Sequence, residues 1–399
     1  MKNKNLEPQL DLNQNQVLKL IENYISQNDP NQLFEFMLNT LMESERSVFL
    51  EETQYEGNKG NGYRSVKRLG IGNKLKLLIP RDRLSIFKPL SISILKKQEE
   101  KLRKLTYHLY GKGLTTRQIG PVLESVFGQN YSKSTISRIN EEFYDRIQKW
   151  LNRKLDSIYP MIMIDALHLK VKRDTVATEA FYIVLGLKKD YTREILAVVN
   201  LPTESSKGWE QVFKNLKERG VEKVGLFVSD DLTGLDNSIS KEFPTSDHQK
   251  CVVHLKRRMA KQLKKKDRKK FWESISHVFD PEGTYTSVKS AIEDFKGIIQ
   301  SYTEFYPCFL HILEKNNLEL YFTYLKYHKD IRRMIYTTNW IERFNKTVRR
   351  TTKIRDSLPS PHSALMLIGY VAMEGKPQTY NYPITKFAKD KKMNELSNC

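Results

Sequence analysis

Apolar residues recur at helical spacing around positions 17–21 and 33–42, so the stretch to about residue 52 predicts one or two amphipathic helices within Asn- and Gln-rich sequence. From 57 to 83 the period shortens. Gly57, Gly60, Gly62, Gly70 and Gly72 punctuate alternating runs such as Leu75, Leu77 and Ile79, and Pro80 closes what reads as a small β-hairpin unit. Helical spacing resumes from about 91 to 150, with breaks at 111–113 and 128–132 that isolate a helix, a turn and a helix. Thr115 or Thr116 caps the first of these, with Ile119, Val122 and Leu123 on its buried face; Pro121 blurs its boundary. Ser132 caps the second, with Ile136 and Ile139 buried. Lys133, Ser134, Thr135, Ser137 and Arg138 then point outward. They suit the base edges and phosphates of a major groove, or belong to the solvated face of an ordinary αα-hairpin.

From 160 onward the pattern is strand-like. Residues 161–171, 180–188 and 194–201 are three apolar strands, 205–219 is a helix ended by Gly220, and 223–229 is a fourth strand. A fifth short strand runs over 249–252, and beyond it the chain reads as helical to about 336. Three consecutive strands followed by helix and strand do not make a simple alternating βαβ array. The fold class predicted is an α/β core with an all-helical insertion, preceded by a mainly helical region carrying the small β-hairpin unit. The corresponding segments are 1–56 (helical), 57–90 (hairpin unit), 91–155 (helix-turn-helix), 156–252 (first part of the core), 253–335 (insertion), 336–375 (later core helices) and 376–399 (C-terminal tail).

Charge narrows the partners. The 399 residues carry 67 Lys and Arg against 47 Asp and Glu, a formal charge of +20, while 39% hydrophobic content is enough for a sizeable core and excludes general disorder. Such a balance fits a polyanion, and by itself does not choose among DNA, RNA and an anionic surface. No run reaches the roughly 18 apolar residues of a membrane span, and the first residues lack the apolar centre of a signal peptide, so a cytoplasmic protein without membrane partners is expected. Three cysteines, Cys251, Cys308 and Cys399, argue against a disulfide framework. The cation run over 256–270, Lys264 and Lys265 included, is either a DNA-backbone contact or a solvated helix face.

Several acids stand where chemistry could use them. Asp165 interrupts an apolar strand, where a lone buried carboxylate is costly unless paired or bound to metal; the bland reading is an edge strand facing solvent, or a pair with Lys170 or Lys172. Asp230 follows the fourth strand at the end where open α/β sheets bind ligands, and it or Asp231 could equally be a cap or turn acid. Glu342 sits near a helix start, where Asn339 and Glu342 could form a capping box and Glu342 and Lys346 an ordinary helical pair. Taken together, two Asp on neighbouring strands and a Glu on a later helix form a hard-oxygen cage for Mg²⁺ or Mn²⁺, with two ions suited to phosphoryl displacement. The same helix carries Arg343, Lys346, Arg349 and Arg350, cations able to hold a DNA backbone beside the acid.

The segments Ile164-Asp-Ala-Leu-His-Leu-Lys-Val, Val228-Ser-Asp-Asp-Leu-Thr-Gly-Leu, Cys251-Val-Val-His and Tyr336-Thr-Thr-Asn-Trp-Ile-Glu-Arg-Phe-Asn resemble those of Mutator-type bacterial insertion-sequence transposases, and the likeness runs from about 57 to 373. That resemblance implies a ribonuclease-H-like catalytic core of the DDE type, with Asp165, Asp230 and Glu342 as catalytic, metal-holding triad and Cys251, His254 and Asn345 as accessory residues. It also implies DNA partners, the element's terminal inverted repeats and a target, engaged by a homodimer or higher oligomer. The activity implied is release of a 3′ hydroxyl by hydrolysis and its transfer to target DNA. A non-catalytic helix-turn-helix regulator and an inactive relic are the alternatives. Two positions depart from the family pattern: Asp231 adds a competing carboxylate, and Trp340 is a bulky aromatic that either packs in the core or stacks on a base. Cys251 and His254 are too few for a closed zinc site, which takes four ligands, although Cys308 and His311 repeat their spacing.

Overall fold

The structure is a computed structural model that describes residues 30–53, 55–69, 74–128, 131–201, 204–283, 285, 287–314, 317–353 and 355–398. It divides into two compact units between Glu142 and Phe143. The helix expected around 17–21 and the glycines Gly70 and Gly72 lie outside the described residues.

In the first unit, α1 (Pro30–Thr53) takes in the run expected over 33–42 and continues past it. Strands β1 (Gly60–Leu69) and β2 (Lys74–Asp82) pair antiparallel. Because side chains alternate across a strand, Leu75 and Leu77 share one face, and they bury with Leu38 and Met42 of α1 and with Leu95. Leu95 comes from α2 (Ile92–Gly111), which precedes α3 (Thr116–Phe127) and α4 (Lys133–Leu151), whose residues from Phe143 onward belong to the second unit. Thr115 closes a capping box on α3: its hydroxyl accepts from Gln118 N at 3.3 Å, and Gln118 Oε1 accepts from Thr115 N at 2.9 Å. Pro121 is accommodated inside α3, and Gly128 ends that helix at φ 69°, a left-handed conformation that favours glycine. Ser132 Oγ accepts from Thr135 N at 3.2 Å at the start of α4. Ile119, Leu123, Ile136 and Ile139 are buried, as their spacing requires.

The second unit is built on a five-stranded sheet with strands β3 (Ile158–Lys172), β4 (Val176–Leu187), β5 (Arg193–Asn200), β6 (Lys223–Ser229) and β7 (Asp247–Lys250) in the order β5-β4-β3-β6-β7. The β3–β4 and β4–β5 pairs are antiparallel, and β3–β6 and β6–β7 are parallel. Over one face lie α5 (Ser206–Glu218) and α6 (Leu235–Glu242). Trp209, Val212, Phe213 and Leu216 of α5 fall at i, i+3, i+4 and i+7 and bury against Ile162, Ile164, Tyr182 and Phe227. Elements α11 (Asn339–Thr352), α12 (Pro361–Glu374) and α13 (Lys391–Asn398) contact β3. Gly225 leaves room for Leu396 of α13, since a Cβ there would overlap Leu396 and the Pro160 carbonyl. The last residues, set apart in the sequence as a tail, therefore end in a helix with Met393 and Leu396 buried.

Between β7 and α11 come α7 (Val252–Gln262), α8 (Lys265–Ser276), α9 (Val288–Thr303) and α10 (Lys329–Ile335), with short helical turns between α9 and α10. An aromatic cluster holds this segment, with Phe279 and Phe322 stacked at 5.0 Å and Phe295 edge-on to Phe279 at 5.3 Å. The fifth strand lies two residues earlier than 249–252. Its residues are polar, so apolar periodicity passes over them, yet His248, Gln249 and Lys250 are buried with dedicated partners. Among the described residues, no helix is long and apolar enough to cross a membrane.

Candidate active site

Strand register places the acids. Ile164 of β3 pairs in parallel with Ser229 of β6, and Ser229 with Lys250 of β7. The next residue on each strand is therefore Asp165, Asp230 and Cys251, a row across three neighbouring strands spaced by roughly 4.8 Å. Asp165 is only 4% exposed and lies on a central strand, which excludes the edge-strand reading; Lys170 and Lys172 are exposed. It sits one step out of phase with Ile162 and Ile164, so it faces away from α5 and toward α11, where Asn345 Nδ2 donates to its Oδ2 at 2.9 Å. Burial first, and then the contact with Asp230, hold the Asp165 carboxyl well above the ordinary carboxylate range.

Cys251 is the N-cap of α7, and its backbone N–H donates to the Ser229 carbonyl at 2.7 Å. His254 follows three residues later on the first turn, with Nδ1 2.5 Å from Asp230 Oδ1. The Asp230 contact, with Cys251 second, pushes His254 up to about 10 against the effect of burial, making the imidazole a cation beside the acid pair. Ligand atoms of Asp230, Cys251 and His254 all lie within 4.8 Å of one another. Among the described residues that cluster includes neither Glu342 nor the Cys308–His311 pair, and Cys308 is exposed, so no composite zinc site is assembled.

Asp231 is held elsewhere. Its carboxylate pairs with Lys250 Nζ at 2.8 Å and Arg258 Nη1 at 2.9 Å. Lys250 also reaches Asp236, at 2.5 Å, and is only 6% exposed, so the buried ammonium is neutralised from two sides. Glu342 lies one turn before Asn345 on α11, and its Oε1 is 3.0 Å from Arg257 Nη1. The capping box does not form: Thr338 is the N-cap and Asn339 the first helical residue. Trp340 is half-buried, with Phe387 edge-on at 5.8 Å and Arg193 5.1 Å from its ring centre, and it lines a second open cleft.

An open cleft of about 670 Å³ runs beside the acids. Asp230, Cys251 and His254 line it, as do Arg257, Arg258 and Lys261 of α7, with Arg268 and Trp272 of α8. His254, Arg257, Arg258 and Lys261 recur at i, i+3, i+4 and i+7, so one face of α7 turns a row of cations toward the carboxylates. Apolar periodicity carried no sign of this face; the signal was the spacing of cations counted from His254. Of the other residues singled out in the sequence, Arg343, Lys346, Arg349 and Arg350 are exposed on α11, and Lys264 and Lys265 are exposed at the start of α8. In the first unit Lys133, Ser134 and Arg138 are exposed on α4.

Residues 7–381 match the family described as Transposase, Mutator family. The chain belongs to that family. It is 29% identical to the transposase for insertion sequence element IS1201 of Lactobacillus helveticus, covering 84% of this chain and 91% of the relative. It is also 29% identical to the transposase for insertion sequence element IS256 in transposon Tn4001 of Staphylococcus aureus, covering 91% of this chain and 94% of the relative. The motifs that suggested the family in the sequence are those that converge at this site: Asp165, Asp230, Cys251, His254 and Asn345 come together, and Glu342 stands on the same helix as Asn345. Two touching carboxylates, one nearly buried, repel each other, and a hard divalent cation is the partner that relieves such a pair.

Proposed function

We propose that this chain is the DNA transposase of an insertion sequence, with a ribonuclease-H-like catalytic core in which Asp165, Asp230 and Glu342 are the catalytic acids. The observation that carries the proposal is the side-by-side placement of Asp165, in the middle of β3, and Asp230, just past the end of the parallel strand β6, with a cation-lined cleft alongside. In this reading the three acids hold Mg²⁺ or Mn²⁺, two ions in all, which when bound activate the attacking oxygen and stabilise the leaving one. Asn345 fixes the Asp165 carboxylate through its amide, and His254 fixes Asp230. Arg257, Arg258, Lys261 and Arg268 hold the phosphate backbone in the cleft, and Arg343, Lys346, Arg349 and Arg350 extend that contact along α11. Water opens a phosphodiester at the element's end, leaving a 3′ hydroxyl and a 5′ phosphate, and that hydroxyl attacks a target phosphorus, forming a new phosphodiester as the target strand's own 3′ oxygen leaves as a hydroxyl.

Asp231, committed to Lys250 and Arg258, stays outside the metal set. Helix α4, entering a major groove with Lys133, Ser134 and Arg138, reads the terminal inverted repeats, and the protein works on DNA in the cytoplasm as a dimer or larger assembly. Purified protein incubated with a duplex carrying an element end should release a new 3′ hydroxyl when Mg²⁺ is added and none when it is chelated. Tight binding of that duplex with no cleavage in either Mg²⁺ or Mn²⁺ would instead identify a regulator or an inactive relic.

A further inference from the structure

A thiol, an imidazole and a carboxylate converge on the wall of the cleft, and the hard-cation reading gives the first of them nothing to do. Cys251 is 1% exposed, and its Sγ lies within 4.8 Å of ligand atoms of both His254 and Asp230. Asp230 Oδ1 and His254 Nδ1 approach to 2.5 Å, yet neither has a partner at hydrogen-bonding angles. A thiol sulfur, an imidazole nitrogen and a carboxylate oxygen converging on one wall of a cleft are a metal-site donor set, and a cation bound there replaces the proton between His254 and Asp230. We infer that Asp230, Cys251 and His254 form an open three-ligand site for a borderline-soft divalent cation of the Zn²⁺ class.

The chemistry of the donors selects the cation. Thiolate and imidazole favour Zn²⁺ over Mg²⁺, and three protein ligands with a free fourth position are the open form of a zinc site, where a closed structural site takes four. Tetrahedral ligation at about 2.0–2.3 Å sets ligand atoms roughly 3.5 Å apart, so the Asp230–His254 pair, now at 2.5 Å, opens by about 1 Å and the wider separations, at most 4.8 Å, close by about as much. The backbone is already tied down for this: Cys251 N–H is bonded to Ser229 O at 2.7 Å and Val252 N–H to Tyr336 O at 3.0 Å. The Thr338 hydroxyl lies 3.8 Å from Cys251 Sγ, an outer partner for the sulfur. The cleft supplies an entry path, because all three ligands line it. Asp230 belongs to both arrangements. A soft cation at this site takes one carboxylate of the acid pair and opposes loading with Mg²⁺; this competitive consequence, unlike the site itself, rests on the function proposed above.

Co²⁺ serves as the optical probe. Titration of the full chain should give one thiolate-to-cobalt absorption band per chain, removed by one equivalent of Zn²⁺. Cys251→Ser should abolish the band, Cys308→Ser combined with Cys399→Ser should retain it, and His254→Ala should weaken Co²⁺ binding at least tenfold. In wild-type protein, where folding of a variant is not in question, Zn²⁺ should slow alkylation of Cys251 and leave Cys308 unchanged. Absence of a band that depends on Cys251, or equal alkylation of Cys251 with and without Zn²⁺, overturns the site and shows that the thiol and imidazole only position Asp230. A Cys251-dependent band indifferent to excess Mg²⁺ upholds the soft site and contradicts the placing of Asp230 in the hard-cation set.

Discussion

Asp165 is the residue whose environment says most. Its carboxyl is held above the range of an unfolded carboxylate, so over the interval between the two values the folded chain keeps a proton that the unfolded chain has lost. Folding stability therefore falls as pH rises through that interval. Asp165→Asn removes the ionising group while its amide still pairs with Asp230 and Asn345. In metal-free buffer at neutral pH the variant should melt higher than wild type, by roughly 2–4 °C for each 1 kcal/mol gained. Calorimetry checks this, and an unchanged or lower Tm would count against strain between the two carboxylates. Asp231 is the contrasting case. It is tied to the buried Lys250 and to Arg258, so Asp231→Ala, which leaves the Lys250 ammonium with Asp236 alone, should cost about 1–3 kcal/mol in denaturant unfolding while DNA cleavage stays within about tenfold of wild type. Loss of cleavage as complete as that of Asp230→Ala would make Asp231 a ligand.

The elements divide into those whose patterns are local and those whose patterns are tertiary. α5 announced itself by Trp209, Val212, Phe213 and Leu216 on one face, and β6 by a continuous apolar run, because burial decided both sequences. β7 did not, since its buried residues are polar and its place depends on Ser229, Asp236 and two distant tyrosine backbones. Asp165 was legible because a carboxylate inside an apolar strand is anomalous, Asp230 because it follows the end of one, and Glu342 chiefly through the family resemblance. Asp231's diversion and the tie between Glu342 and Arg257 were not, because both depend on where α7 carries Arg258 and Arg257 in space. For α4, Arg138→Ala and Lys133→Ala should weaken binding to end-containing DNA. Removing a side chain that reads a base should cost about 1–3 kcal/mol of discrimination, whereas removing one that holds only phosphate lowers affinity for all sequences alike. Equal binding of end and random DNA by wild type and variants would take α4 out of recognition. For the insertion, neutralising Lys264, Lys265, Lys266, Lys269 and Lys270 together should flatten the salt dependence of DNA binding by about one unit of slope for each phosphate no longer neutralised. An unchanged slope would leave that face to solvent.

At the scale of the whole molecule, the proposed function has the charge of +20 and the cation-lined cleft hold DNA and the acids cut it. Those two functions reside in different side chains, so they are separable by mutation. The central claim is that Asp165, Asp230 and Glu342 act as one catalytic set within a Mutator-family transposase fold. It is tested most directly by measuring Mg²⁺-dependent strand cleavage of end DNA for Asp165→Ala, Asp230→Ala and Glu342→Ala, with DNA affinity measured on the same preparations. The account predicts cleavage reduced by at least about 10³-fold in each variant, on the order of 4 kcal/mol of barrier, with affinity within a few-fold of wild type. Cleavage at the wild-type rate by any one of the three, with its fold and DNA binding intact, would contradict it.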